Sequence, residues 1–123
     1  MRNILINITV LTFFFASKST FAQYSPPYET KLLRLAEILG SLHYLQNLCK
    51  APTKQWYDYM VALIEAEQPM PQRRAYFYEA FNEAYRSFSE NYHRCTQSAI
   101  EATQRYIIEG TALSESLLIP FNN

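Results

Sequence analysis

Two histidines, two cysteines and one pair of adjacent arginines are the residues in this 123-residue chain whose types could carry chemistry. His43, His93, Cys49 and Cys95 supply the donor types of a zinc site, but their spacing does not fit one. On a helix, positions 43 and 49 point about 120° apart and positions 93 and 95 point to nearly opposite sides, so neither pair shares a face. No Cys-x-x-Cys pair is present for redox chemistry or haem attachment. With only two glycines there is no dinucleotide-binding turn and no phosphate loop. No metal and no cofactor is therefore assigned.

His43 falls within the apolar arc of its segment, where an imidazole is costly to bury without a hydrogen-bond partner. It is either a general base or ligand facing a pocket, or a core histidine satisfied by a tyrosine hydroxyl. The ten tyrosines of the chain favour the second reading. Arg73 and Arg74 fall in the first turn of a helix, where positive charge opposes the helix dipole. Two guanidinium groups beside free backbone N–H groups would hold an anionic ligand. The structural alternative, and the preferred one, is pairing with Glu65 and Glu67 across a short turn. Paired carboxylates for glycoside hydrolysis are not supported: Glu79 and Glu83 share a solvated face, and Glu65 and Glu67 point in different directions.

The elements that would position these residues follow from apolar periodicity. From Glu29 to Cys49, Leu35, Ile38, Leu42, Leu45 and Cys49 step by three and four, within an apolar arc wide enough for a central helix. Lys50-Ala51-Pro52 breaks it, and Thr53 caps a second helix running to about Glu67. That helix should bury Trp56, Tyr57, Met60, Leu63 and Ile64. Pro69 and Pro71 punctuate a turn, Pro71 suiting a first helical position.

A third helix is expected over about Gln72–Arg94. Its buried seam reads Tyr78, Phe81, Tyr85, Phe88, Tyr92 and Cys95, opposite an ion-paired face of Glu79, Glu83, Arg86, Glu90 and Arg94. Thr96, or Ser98 with Glu101, opens a fourth helix, which buries Ala99, Thr103, Tyr106, Gly110, Leu113 and Leu117. Pro120 stops it. Gly40 and Gly110 both lie on apolar sides and mark close helix contacts, although Gly110 could instead end its helix. The fold expected is all-α: a small four-helix bundle with near-parallel first and third helices.

At the N-terminus, one basic residue, a short apolar run over Ile4–Ala16 and a small-residue exit at Thr20-Phe21-Ala22 make a secretory signal peptide of residues 1–22. The run is short for a membrane span of roughly 20 residues, and a retained anchor is the alternative. Residues 23–123 are then a single helical domain, periplasmic or secreted. Its removal takes Arg2 and Lys18, so 11 basic and 11 acidic residues become 9 and 11. That balance excludes a nucleic-acid binder, and the membrane is met only through the signal peptide before cleavage. In an oxidising compartment Cys49 and Cys95 pair as a structural disulfide.

Taken together, these segments are similar to a family of small secreted alphaproteobacterial proteins with a conserved domain of unknown function. The matching residues are Leu33–Gly40, His43-Tyr44-Leu45, Leu48-Cys49, Arg73-Arg74-Ala75, Phe81-Asn82, Tyr85-Arg86, Cys95-Thr96, Arg105-Tyr106 and Glu109-Gly110. The resemblance implies a periplasmic setting, with no established activity and no catalytic residues to carry over. The function expected is a non-enzymatic envelope interaction or structural module that binds another envelope protein or an envelope component. The alternative is a small periplasmic hydrolase or anionic-ligand-binding protein using His43 or Arg73 and Arg74.

Overall fold

A computed structural model describes residues 25–118. The signal segment 1–22, the lead-in before Ser25 and the stop at Pro120 lie outside the described residues. Within them the chain forms four helices and no strand: α1 (Glu29–Cys49), α2 (Gln55–Glu67), α3 (Pro71–Asn91) and α4 (Gln97–Leu118). The fold is an all-α four-helix bundle carrying a disulfide between Cys49 and Cys95.

The wide apolar arc of α1 sets the architecture. Leu32, Ala36, Ile38, Leu39, Gly40, Ser41, Leu42 and Leu45 are all buried, so α1 needs cover on most of its circumference. Each of the other helices packs on α1, and they scarcely meet one another. Glu29 meets Arg73, Gly40 meets Phe81 and Cys49 meets Cys95, so α3 runs parallel to α1. Gln46 bonds Trp56 at one end of α2, and Arg34 bonds Glu109 far along α4, so both of these helices return antiparallel.

Helix ends are set by local chemistry. The Thr53 hydroxyl accepts from the Gln55 N–H at 3.1 Å, although Lys54 holds the N-cap position. Gln68 ends α2 in a left-handed conformation with φ of 43°, and Pro71 opens α3. Thr96 caps α4 by accepting from the Ala99 N–H at 3.1 Å.

Two expectations for α3 are corrected. The helix ends at Asn91 rather than near Arg94, because Tyr92 turns extended and its carbonyl accepts from the Tyr44 hydroxyl. This turn carries Cys95 to Cys49, so Cys95 is exposed in the loop instead of continuing a buried stripe. The fully buried start of the seam is Phe77, with Tyr78 half-buried against the same core, and Tyr85 is exposed. Phe81 packs against α1 at Gly40, and the residue one turn before it is Phe77. On α2, Met60 and Ile64 are buried while Tyr57 is exposed, and on α4 Ala102 joins Ala99 inside.

Candidate functional site

Because α2, α3 and α4 lean on α1 rather than on each other, three furrows run along the molecule with α1 as their floor. The candidate residues distribute among them.

His43 lies between α2 and α3. Its ring centroid is 6.2 Å from Tyr57, 5.9 Å from Phe81 and 5.5 Å from Tyr85. The imidazole is half-buried, its Nδ1 is fully buried, and that nitrogen has no hydrogen-bond partner. The expected tyrosine hydroxyl partner is thus corrected. The neighbouring phenol rings lie alongside the imidazole, and the nearby Tyr44 hydroxyl is committed to the Tyr92 carbonyl. Burial lowers the His43 pKa from the ordinary 6.5, since the charged form loses its hydration. Among the described residues no carboxylate or nucleophilic hydroxyl bonds to it.

Arg73 stands where the N-termini of α1 and α3 and the C-terminus of α2 converge. Its guanidinium donates from Nε to Glu29 at 2.8 Å and from Nη2 to Glu67 at 2.8 Å, and it stacks 5.0 Å over the Phe77 ring. All three charged side chains are largely buried. The carboxylates, Glu29 foremost, hold the Arg73 pKa above its ordinary range against the opposing effect of burial. Of the pairing expected from sequence, Glu67 with Arg73 is present. Among the described residues Glu65 makes no ion pair, and Arg74 is exposed without an acidic partner. Glu29 was missed from sequence, because its pairing with Arg73 depends on the register in which α1 and α3 lie side by side.

A second ionic cluster lies toward the α3/α4 furrow. Arg34 donates from Nε to Glu109 at 2.7 Å and from Nη1 to Glu37 at 2.9 Å, with its guanidinium 5.8 Å from the Tyr106 ring centre. The opposite face of α3, Glu79 to Arg94, is exposed but forms no ion pairs among the described residues.

The third furrow, between α2 and α4, is apolar and holds a cavity of about 270 Å³. Leu35, Ile38 and Leu42 of α1 form its floor, Trp56 and Tyr59 one wall, and Ile107, Gly110 and Thr111 the other. Gly110 keeps helical φ, and a Cβ there would meet Ile38 Cγ2 at 3.2 Å, so this glycine serves close packing. Sequence reasoning missed this furrow, because it depends on where two helices dock on a third.

Among the described residues, no cluster of three or more His, Cys, Asp or Glu side chains could hold a metal ion. No described helix is long and apolar enough to cross a membrane. Neither a curated protein nor a solved structure matches the chain. Residues 27–121 match the model of a family described as protein of unknown function (DUF2385), which covers all four helices, and the chain belongs to that family.

Proposed function

We propose that the chain is a non-enzymatic binding module of the cell envelope. In this reading residues 23–123 form one helical domain, exported by segment 1–22 into a periplasmic or extracellular setting, where it engages another envelope protein or an envelope component. The observation that carries the reading is a second apolar stripe on α4. Ile100 and Ile107 are 39% and 40% exposed and seven residues apart, beside the stripe buried at Ala99 and Ala102. Ile108, next to them, is 70% exposed. Isoleucines so placed add little to the core and mark a surface that a partner covers. The disulfide suits an oxidising compartment.

The alternative, a hydrolase or anionic-ligand protein using His43 or Arg73 and Arg74, has less support. The Arg73 fork is already occupied by two carboxylates, and among the described residues no nucleophile or carboxylate bonds to His43. The test is a photoreactive residue introduced at position 108 of the full chain in its native cell. The reading expects a discrete adduct at 108 that is absent when the probe sits at Glu79 on the exposed face of α3. No adduct at 108, or equal adducts at both positions, would overturn it.

A further inference from the structure

We infer that the furrow between α2 and α4 is a binding site for a single-chain aminolipid, its hydrocarbon on the Leu35-Ile38-Leu42 floor and its protonated amine at Glu115. The inference rests on the binding-module reading and names a ligand class for the furrow that borders the α4 stripe at Ile107.

Most of the polar groups along both walls are already engaged. The Thr111 and Ser114 hydroxyls donate to the Ile107 and Gly110 carbonyls of their own helix, each at 2.8 Å. The Trp56 indole N–H donates to Gln46 at 2.6 Å, and the Tyr59 hydroxyl accepts from Gln55 at 3.2 Å. Apart from the Tyr59 and Tyr106 hydroxyl protons, the walls therefore present hydrocarbon and satisfied dipoles, a lining that suits a saturated chain. At about 270 Å³ the cavity lies just under the usual small-molecule range of roughly 300–1,000 Å³, which suits one slender chain.

Charge chooses the headgroup. Glu115 is the one acidic residue lining the furrow, and it is exposed and unpaired among the described residues. It also lies near the C-terminal end of α4, whose last turn carries no basic residue to offset the negative end of the helix dipole. Both fields attract a cation and repel a carboxylate or phosphate head. A second copy of the chain fits less well. Packing α4 antiparallel on itself about Ile108 would bring Glu101 of one copy opposite Glu115 of the other.

Trp56, the single tryptophan, lines the furrow and reports its occupancy. The experiment titrates the purified exported protein with dodecylammonium below its micellar concentration, with dodecanoate and dodecanol as comparators. Expected is a saturable shift in Trp56 emission with dodecylammonium, weakened roughly fivefold by Glu115→Gln, a change that leaves dodecanol unaffected. Ile107→Glu, at an exposed wall position, should abolish it while the circular dichroism melt stays cooperative. Equal binding of dodecanoate, or indifference to Glu115→Gln, would overturn the inference. So would a shift produced only by an apolar lysine-containing peptide, which would assign the furrow to protein. If the lipid arm fails while the position-108 adduct persists, the binding-module reading stands and only the ligand class falls.

Discussion

The backbone of Gly40 rests on the carbonyl of Phe81, so closely that a Cβ on Gly40 would lie 2.1 Å from the Phe81 oxygen. Contact with backbone cannot be relieved by a rotamer change, and any side chain here must pry α1 from α3. Gly40→Ala is expected to destabilise the fold by about 3 kcal/mol or more. Gly110→Ala meets only side chains, Ile38 at 3.2 Å and Leu35 at 4.0 Å, and alanine's helix preference of about 1 kcal/mol offsets the crowding. Urea melts should therefore separate two substitutions that look alike in sequence.

Arg73 between Glu29 and Glu67 gives a second contrast. Removing the cation leaves two largely buried carboxylates facing each other. Arg73→Met should cost about 2 kcal/mol, between the limits for exposed and fully buried pairs. Glu67→Gln should destabilise measurably, whereas Glu65→Gln, on an exposed residue without an ion pair among the described residues, should leave the denaturation midpoint unchanged.

His43 predicts a pH dependence with a definite sign. Its folded pKa lies below the ordinary 6.5, so between those two values the unfolded chain binds more protons than the native one. Stability should fall as pH drops below about 6.5 and level off once the folded pKa is passed. His43→Phe should flatten this part of the profile and keep the aromatic packing with Tyr57 and Tyr85. Equal slopes in denaturant midpoints between pH of about 7.5 and 5.5 for both proteins would count against it.

The cystine predicts both a mass and an energy. Exported protein should begin near Gln23 and hold no free thiol by non-reducing mass spectrometry. With Cys49 and Cys95 separated by 46 positions in sequence, reduction should lower stability by roughly 4 kcal/mol in the chain-entropy model.

The legible part of the fold was local. The bounds of α1 follow from its apolar steps and from the break at Lys50-Ala51-Pro52, and Thr96 is one of the two openings that the sequence offers for α4. What sequence hid was tertiary. Phe77 and Tyr78 are adjacent and both apolar enough for a seam, and the choice between them depends on where α3 crosses Gly40. The end of α3 was hidden because no glycine or proline marks Tyr92, whose turn is held by a hydroxyl from another helix. At the candidate sites, Glu67 was in reach of a short-turn argument. Glu29, 44 residues from Arg73, required the parallel register of α1 and α3.

The Cys49–Cys95 bond also has a topological consequence. It closes a covalent ring that contains α2 and α3 and leaves α4 outside. A protease that nicks the exposed Gln68–Met70 turn would leave one molecule of unchanged migration until a reductant is added. A cut just beyond Cys95 would detach α4 at once, and with it the isoleucines proposed to meet the partner. Limited proteolysis read on reducing and non-reducing gels thus separates damage that the molecule tolerates from damage that disarms it.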